Sequence, residues 1–386
     1  MREDVFPKPP VIDVTVVRIK DTLQNWLQTA DVCFNGGRPW DIQVHNPRLY
    51  RRILVGGSMA AGESYMDGWW DSESLDETFT RILKSGINQK VNYTPSTVWN
   101  FVVASLRNLQ STARAFQIGE RHYDTGNELF RLMLDKRMVY SCGYWREAKN
   151  LDDAQEAKLD LVCRKLHLRE GQKVLDIGCG WGSFARYAAK NYGVRVVGLT
   201  VSKRQAELAQ EKCEGLPVEI RLQDYREISE PFDRVVSIGM FEHVGKKNYR
   251  TFMEVAHRCL KEDGLQLLHC IGSNISVNMT DPWINKYIFR NGMIPSAQQI
   301  TRAAEGLFIV EDWHNFGPFY DNTLMAWYHN FTSNWDKLQD RYDSRFYRMW
   351  TYYLLVSAAS FRARKNQLWQ IVLSKKGTTR HYQSVR

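Results

Sequence analysis

The sequence predicts an α/β fold with a doubly wound parallel sheet and a smaller domain ahead of it. From about residue 150, apolar runs of strand length alternate with segments whose apolar residues recur at helical spacing. Such alternation builds a Rossmann-like sheet with helices on both faces. The expected strands are residues 174–177, 194–199, 218–222, 234–238, 265–271, 307–311 and 368–373, and the expected helices are residues 152–168, 183–191, 202–213 and 248–260.

Residues 1–95 form the expected N-terminal domain, residues 96–120 a connecting helix or linker, and residues 121–386 the larger domain. The first segment is rich in turn-forming residues, including the pair Gly56-Gly57. It also carries two adjacent tryptophans, Trp69 and Trp70, that we expect to be exposed. Pro95 followed by Ser96 is typical of a helix start, so the connecting helix is expected from residue 96 to about residue 116.

The net formal charge of +9 is concentrated at the end of the chain. Residues 332–386 contain eleven Lys and Arg side chains against three Asp and Glu. A basic face of this kind can contact an anionic membrane or nucleic acid, or can simply be hydrated. Because no nucleic-acid-binding motif accompanies it, nucleic acid is not an expected partner. A solvated surface and a membrane contact both stay open.

Cysteine usage and hydropathy indicate an intracellular protein whose membrane contact, if it has one, is peripheral. The seven cysteines are irregularly spaced and contain no CxxC pair, so neither a disulfide framework nor a metal site is expected. The first residues lack the apolar region of a secretory signal. No apolar run approaches the length of about 18 residues that a membrane-spanning helix needs. Cytoplasmic localisation is therefore expected.

Residues 173–182, KVLDIGCGWG, carry the main chemical signal. A buried strand ends there in three glycines, Gly178, Gly180 and Gly182, directly before a helix. Glycines let the backbone approach a ligand closely, and the helix start offers unpaired N–H groups. Both a dinucleotide and S-adenosylmethionine suit such a turn, and the glycine pattern alone does not separate them.

Three polar residues favour S-adenosylmethionine over a dinucleotide. Asp176 lies just ahead of the first glycine, where a carboxylate can face the cationic amino group of a methionine moiety but would repel a pyrophosphate. The second strand ends in Thr200 instead of the acid that holds the ribose of NAD. Asp224 follows the third strand, where its carboxylate can accept a hydrogen bond from the adenine amino group, although a plain turn residue is the alternative.

Longer motifs extend along almost the whole chain. They are GESYMDGWW at 62–70, His122-Tyr123-Asp124, Tyr140-Ser141-Cys142, VLDIGCGWG at 174–182, GLTVS at 198–202, GMFEHVG at 239–245, LLHCIG at 267–272, DPWINKYIFRNGMIPS at 281–296, DWHNFGPFYDNTLMAW at 312–327 and FRAR at 361–364. In residues and order, the chain resembles the cyclopropane-fatty-acyl-phospholipid synthases, relatives of the mycolic acid cyclopropane synthases. The resemblance implies a class I S-adenosylmethionine-dependent methyltransferase.

The resemblance also implies roles for particular residues. Tyr140 and Ser141 would lie over the S-adenosylmethionine, while its methionine and ribose would be contacted by Gly178, Gly180, Thr200 and Gln205. A bicarbonate ion would be held in the active site, near Tyr140, by Cys142, Glu242, His269, Ile271 and Tyr320. Aromatic candidates to face a cationic reaction intermediate are Tyr140, Tyr144, Trp145, Phe241 and Tyr320.

The implied reaction adds a methylene, derived from the methyl group of S-adenosylmethionine, to the cis double bond of an unsaturated phospholipid acyl chain. A carbocation would be deprotonated by bicarbonate, and the cyclopropane ring would close. The implied enzyme is a cytoplasmic homodimer that contacts the inner face of the membrane peripherally, with an N-terminal domain that engages lipid. Residues 275–295 are expected to cover the substrate pocket, although a plain surface loop is the alternative.

One departure from the family pattern narrows the chemistry. Some members carry a cysteine after a TYYL-like segment that has been proposed as catalytic. Here residues 351–354 are followed by Leu355, Val356 and Ser357, so no thiol chemistry is expected at that place. Another lipid or small-molecule methyltransferase on the same scaffold stays open as the alternative function.

Overall fold

The first elements of the chain form the smaller N-terminal unit. The structure is a computed structural model, and it describes residues 14–87, 126–277, 279–375 and 381–386. Its elements are α1 (Val14–Gln28), β1 (Gln43–Val44), α2 (Arg48–Met66), β2 (Trp70–Asp71) and α3 (Leu75–Ser85). Strands β1 and β2 pair antiparallel. The connecting helix expected from residue 96 and the motif His122-Tyr123-Asp124 lie outside the described residues.

Two expectations for the N-terminal unit are wrong. The pair Gly56-Gly57 lies inside α2, where Gly57 (φ 55°, ψ −137°) kinks the helix instead of forming a turn between elements. Trp70 is buried, with 2% of its surface exposed, because its ring packs against Tyr65 at 5.1 Å between centroids. Its indole N–H donates a hydrogen bond to the carbonyl of Ala61. Trp69 is half-buried.

The larger unit contains all of the strands and helices expected from the sequence, with ends that differ by a few residues. Its helices are α4 (Asn127–Met133), α5 (Leu151–Lys165), α6 (Ser183–Tyr192), α7 (Lys203–Lys212), α8 (Tyr249–Cys259), α9 (Pro282–Tyr287), α10 (Ala297–Ala304), α11 (Pro318–Ser333) and α12 (Ser344–Arg362). Its strands are β3 (Lys173–Ile177), β4 (Arg195–Thr200), β5 (Val218–Leu222), β6 (Phe232–Ile238), β7 (Leu260–Gly272), β8 (Phe308–Asn315) and β9 (Gln367–Lys375). Short 3₁₀ turns occur at Tyr225–Glu227, Phe241–His243 and Trp335–Lys337.

These strands form one seven-stranded sheet in the order β5-β4-β3-β6-β7-β9-β8. Strands β3 to β7 are parallel, which confirms the doubly wound arrangement, but β9 runs antiparallel to both β7 and β8. The sheet is therefore mixed and not wholly parallel, because β9 inserts between β7 and β8 after the helical pair α11 and α12. The carboxyl ends of β3 to β7 share one edge, where ligands bind in such sheets.

The N-terminal unit packs on the helices that connect β8 to β9. The ring of Tyr352 on α12 lies 5.5 Å from the ring of Tyr65 on α2, and these residues belong to one apolar cluster. Charged contacts add to this packing, because Arg362 pairs with Asp76 at 2.6 Å. Residues 1–95 as a domain of their own stay a prediction. Among the helices of the described ranges, none is long and apolar enough to cross a membrane.

Candidate active site

A cavity lies at the carboxyl ends of β3, β4, β5 and β6, where the glycine turn after β3 forms one wall. Eight of the nine residues predicted to bind the methyl donor line it, namely Tyr140, Ser141, Asp176, Gly178, Gly180, Thr200, Gln205 and Asp224. The sheet topology brings them together from segments that are far apart in the sequence. The predicted cofactor site is thus one continuous surface.

Gly182 does not line this cavity. It precedes α6 with a φ of 77°, in the left-handed region that favours glycine. A Cβ atom built on it would lie 3.0 Å from Cys213 Sγ and 3.3 Å from Ala209 Cβ. The structure therefore gives Gly182 a packing role, because the missing side chain lets α6 pack closely against α7. Cofactor binding by Gly182 stays a prediction.

Gly178 and Gly180 have the backbone geometry that a ligand-binding turn needs. Gly178 has a φ of 85°, and a Cβ on it would lie 2.6 Å from Met240 Cγ. Gly180 has a φ of 56°, and a Cβ on it would meet nothing within 4 Å. The chain at Gly180 therefore faces open space in the cavity wall, so a ligand can approach its backbone closely.

Asp176 provides a buried carboxylate for the amino group of a bound methionine moiety. It is 2% exposed, and its Oδ2 has no hydrogen-bond partner among the described residues. Burial raises the pKa of Asp176 to about 7, although the nearby ammonium of Lys158 lowers it. An unpartnered carboxylate oxygen in the wall of this cavity fits a ligand that carries a primary ammonium group.

Lys158 was missed from the sequence, although it belongs to the same wall. Its side chain is fully buried, and its Nζ donates a hydrogen bond to Ser141 Oγ at 2.9 Å. One helical turn earlier, Gln155 Nε2 donates to the carbonyl oxygen of Ser141 at 2.7 Å. Burial lowers the pKa of Lys158 to about 8. Helical periodicity could have found it, because Lys158 shares the apolar face of α5 with Ala154 and Leu161.

Hydrogen bonds hold the other polar residues of the cavity in place. The hydroxyl of Thr200 donates to Gln205 Oε1 at 2.9 Å. Asp224 accepts hydrogen bonds from the backbone and guanidinium of Arg226, and it caps the short turn that follows. Asp224 therefore has the structural role of a turn residue, and it also lines the cavity. Its hydrogen bond to adenine stays a prediction.

A second cluster of buried polar groups lies next to this cavity. Glu242 follows β6, and its Oε1 accepts a hydrogen bond from the backbone N–H of Ile271 at 2.7 Å. Its Oε2 is buried and lacks a partner in the described part of the chain. Burial raises the pKa of Glu242 to about 7, and the hydrogen bond from Ile271 lowers it. The carboxyl is therefore oriented through one oxygen and available through the other.

His269 brings a second unpartnered atom to the same edge of the sheet. It is 1% exposed at the end of β7, and its Nε2 has no partner within the described ranges. Its Nδ1 lies 3.3 Å from Nε2 of Gln370, its register partner on β9. Burial, with the charges of Lys158 and Lys165, holds the pKa of His269 well below its usual range. The ring is therefore neutral and carries one N–H.

Cys142 and Tyr320 complete the cluster. Burial raises the pKa of the Tyr320 phenol well above its usual range, and the neighbouring Tyr353, Cys142 and Glu242 raise it further. Burial likewise raises the pKa of Cys142, so the thiol stays protonated. The hydroxyl of Thr323 lies 3.8 Å from the Cys142 sulfur. The predicted residues Cys142, Glu242, Ile271 and Tyr320 thus meet in one place.

Aromatic side chains connect the cavity at the glycine turn with the polar cluster around Glu242. The hydroxyls of Tyr140 and Tyr353 share a hydrogen bond of 2.7 Å, a contact between residues 213 positions apart in the sequence. The ring of Phe289 lies 6.4 Å from Tyr140 and 5.7 Å from Tyr353. Within the expected cover, residues 289–293 therefore lie at the site, since Arg290 also lines the cavity and Met293 N–H donates to the Glu242 carbonyl. Trp283 and Tyr287 instead pack against the N-terminal unit, where the Tyr287 hydroxyl donates to Glu63 at 2.9 Å.

Of the five aromatic candidates to face a cation, Tyr140 and Tyr320 lie together at the site, whereas Phe241, Trp145 and Tyr144 make other contacts. The rings of Tyr140 and Tyr320 both contact Trp327, at 5.0 and 6.0 Å between centroids. Phe241 stacks on Tyr249 at 4.4 Å in the core beneath the sheet. Trp145 donates its indole N–H to Thr323 at 2.8 Å. Tyr144 packs against Phe316.

Comparison with known proteins agrees with this geometry. The family model of mycolic acid cyclopropane synthetase matches residues 110–371. The chain is 52% identical over 349 residues to the cyclopropane-fatty-acyl-phospholipid synthase of Escherichia coli (strain K12), covering 90% of this chain and 91% of that protein. It is 36% identical over 275 residues to a probable fatty acid methyltransferase of Pseudomonas putida, covering 68% of this chain and 70% of that protein.

Solved structures show the same fold. The cyclopropane synthase MmaA2 from Mycobacterium tuberculosis matches with a TM-score of 0.64 at 33% identity, covering 67% of this chain and 98% of that chain. The mycolic acid cyclopropane synthase CmaA1, solved with SAH and CTAB, matches with a TM-score of 0.63 at 34% identity and the same coverage. The sheet is thus that of the class I methyltransferases, and S-adenosylmethionine is the co-substrate. The chain belongs to the mycolic acid cyclopropane synthetase family and is an S-adenosylmethionine-dependent methyltransferase.

Proposed function

We propose that this enzyme forms cyclopropane rings on the cis double bonds of unsaturated acyl chains in membrane phospholipids, with a bound bicarbonate ion as the base. The observation that carries the proposal is the pair of buried, unpartnered atoms Glu242 Oε2 and His269 Nε2. They lie at the ends of the neighbouring strands β6 and β7, and Glu242 also lies near Tyr320, which in turn neighbours Cys142. Buried polar atoms are usually satisfied by protein, by ordered water or by a bound ion or ligand, and two such atoms at one sheet edge fit a small polar ligand.

The donor set of this cluster matches bicarbonate. Tyr320 stays protonated and can donate a hydrogen bond, and the neutral ring of His269 can donate through Nε2. The Cys142 thiol also stays protonated, and it would have to turn from the Gly143 carbonyl, 3.2 Å away, to donate to the ion. Glu242 Oε2 can accept the O–H of the ion. When bound, bicarbonate supplies a small base that takes the proton lost from the transferred carbon. The protein orients that base and keeps the site dry.

S-adenosylmethionine would be held by the cavity under the sheet edge. When bound, it supplies an electrophilic methyl group to an alkene that is itself a poor nucleophile. Asp176 would receive the amino group of the donor, and Gly178 and Gly180 let the backbone approach it. Tyr140 lines this cavity and reaches Tyr353 and Trp327, so it belongs to both halves of the site. Alignment of the two reactants is the main task of these walls.

Aromatic faces near the transferred carbon would stabilise positive charge on the lipid. The rings of Tyr140 and Tyr320 both pack against Trp327, at 5.0 and 6.0 Å between centroids, and Tyr140 lines the cavity. A cation over such a face is stabilised by about 2 kcal/mol or more when water is excluded. The same rings exclude water, which would otherwise add to the cation.

The proposal places the enzyme on the inner face of the membrane as a homodimer, with the N-terminal unit against the lipid. Much of the positive charge after residue 332 is paired inside the protein, as in the ion pairs of Arg348 with Asp71 and of Arg362 with Asp321. Helix α2 offers a better surface, because Arg48, Arg51 and Val55 are exposed at helical spacing on one face. Binding to anionic vesicles is expected to weaken with salt. A salt-insensitive interaction would contradict this part of the proposal.

The decisive experiment incubates the enzyme with S-adenosylmethionine and vesicles of unsaturated phospholipid, followed by proton NMR of the fatty acids. Ring methylene protons at unusually high field are expected. A methyl-branched chain would instead support the alternative methyltransferase. Carbonate is then removed from the assay and added back, and activity should fall and return. Unchanged activity throughout would remove bicarbonate from the mechanism.

A further inference from the structure

We propose that Arg146, Arg364 and Arg386 form a second binding site, for a small oxyanion of the phosphate or carbonate class. The three arginines line one pocket beside the start of α11. The other described residues that line this pocket carry no carboxylate. The guanidinium group is suited to this ligand because its planar N–H groups match the geometry of an oxyanion.

The fold holds two of these arginines in place. Arg386 donates to both carboxylate oxygens of Asp312, each at 2.6 Å. Arg364 donates to Gln367 Oε1 at 2.7 Å, and Gln367 Nε2 donates back to the Arg364 carbonyl at 2.7 Å. Their side chains therefore lose less freedom on binding a ligand than unrestrained arginines would.

The backbone of Arg364 is unusual for a residue with a side chain. Its φ is 59°, in the left-handed region, directly after α12. Glycine or asparagine commonly occupies such a place, since other residues adopt this conformation at a cost. Arg364 ends the FRAR segment, whose first arginine, Arg362, pairs with acids of the protein, whereas Arg364 lines the pocket.

The charges around the pocket leave it positive. Asp312 faces two cations, because Lys165 Nζ lies 3.1 Å from its carboxylate and Arg386 pairs with it as well. Burial lowers the pKa of His314 to about 4, so its ring is neutral at pH 7. Among the described residues that line the pocket, no acidic side chain accompanies Arg146 and Arg364.

The pocket lies directly behind the candidate active site. Phe316 lines it and is in ring contact with His269 at 6.0 Å and with Tyr144 at 5.4 Å. One aromatic layer thus separates the arginines from His269. Two sources of oxyanion suit this position: the phosphodiester of a lipid whose acyl chain enters the site, or dissolved bicarbonate. The choice between these sources rests on the proposed function, whereas the site itself does not.

The test compares the full-length wild type with the double variant Arg146→Gln/Arg364→Gln. A matched control, Arg302→Gln/Lys190→Gln, removes the same charge from exposed helix positions elsewhere. Inorganic phosphate is titrated into each protein by calorimetry. We expect the affinity for phosphate to fall about tenfold or more in the double variant and to stay unchanged in the control. Equal affinity in all three proteins, or no binding to the wild type, would overturn the proposal.

Two further assays separate the sources. If lipid phosphate is the ligand, the double variant binds phosphatidylglycerol vesicles about tenfold more weakly than the control at equal ionic strength. If bicarbonate is the ligand, its KM rises while vesicle binding matches that of the control. A double variant that matches the control in both assays overturns the proposal, even where phosphate binding is lost. Because the phosphate and vesicle measurements need no turnover, they remain informative if cyclopropanation fails.

Discussion

Replacing Glu242 by glutamine should make the protein progressively more stable relative to the wild type as the pH rises, although it removes a residue of the proposed active site. Burial raises the pKa of Glu242 from 4.5 to about 7. Because the raised pKa is that of the folded state, the protein is stabilised by the neutral carboxyl below pH 4.5. That contribution is lost as the pH rises through 7. Glutamine does not titrate and shows no such loss.

The size of the effect follows from the shift of the pKa. Each pKa unit corresponds to about 1.4 kcal/mol, so the shift amounts to about 3 kcal/mol once the carboxyl is fully ionised. Between pH 5 and pH 8.5, the stability of Glu242→Gln relative to the wild type should therefore improve by about 2 to 3 kcal/mol. The buried amide N–H₂ that replaces Oε2 adds a cost, but this cost is the same at both pH values and cancels.

Urea denaturation of both proteins at pH 5 and pH 8.5 measures this difference. Glu73→Gln is a suitable control, because the Glu73 side chain is exposed. A relative stability of Glu242→Gln that is the same at both pH values would refute the reasoning. Turnover provides the second readout: the variant should bind S-adenosylmethionine normally and lose most product formation. A parallel loss of folding would make Glu242 structural.

Three other substitutions test separate parts of the site. Gly182→Ala should destabilise the protein by about 1 to 2 kcal/mol, because of the left-handed backbone and the contact of the new Cβ with Cys213. The affinity for S-adenosylmethionine should not change. Weaker binding at unchanged stability would indicate that Gly182 contacts the cofactor. Asp176→Asn should weaken S-adenosylmethionine binding about tenfold in calorimetry, because it removes the charge that faces the amino group; unchanged affinity would contradict that role. Gln370→Leu should raise the KM for bicarbonate and not that for S-adenosylmethionine, since it removes the partner of His269 Nδ1; equal changes in both would indicate a general distortion.

Local sequence patterns predicted the strands and the cofactor turn well, for a physical reason. Buried parallel strands such as β3 and β4 are continuous apolar runs, and a glycine turn between strand and helix has few alternative uses. The same patterns place Asp176, Thr200 and Asp224 at strand ends, so the topology brings them to one edge. Strand direction is not encoded in such patterns, and the reversal of β9 could not be read from them.

The missed residues act through contacts between distant segments. Tyr353 reaches Tyr140, and Gln370 reaches His269 from a strand paired in antiparallel register. No local periodicity distinguishes these side chains from others that merely pack in the core. Trp70 was assigned to the surface for the same reason, because its burial depends on Tyr65 and on the neighbouring α12. Lys158 differs from these cases, since a lysine on an apolar helix face is a visible anomaly.

Two carboxyl groups explain how one sheet edge can hold a cation and an anion side by side. Asp176 lies near the end of β3 and Glu242 follows β6, and these two strands are neighbours in the sheet. Burial raises the pKa of each to about 7, and each keeps one oxygen without a partner in the described structure. Burial is the larger effect on Asp176, but the nearby ammonium of Lys158 lowers the pKa of this carboxyl, and an ionised carboxylate there would suit an ammonium group. The pKa of Glu242 is raised by burial and lowered only by hydrogen bonds from the backbone N–H groups of Ile271 and of Glu242 itself. This carboxyl would therefore suit a ligand O–H with which it shares a hydrogen bond. The difference in their neighbours therefore supports the proposal that the cationic methyl donor meets Asp176 and that the hydrogen-bonding base meets Glu242.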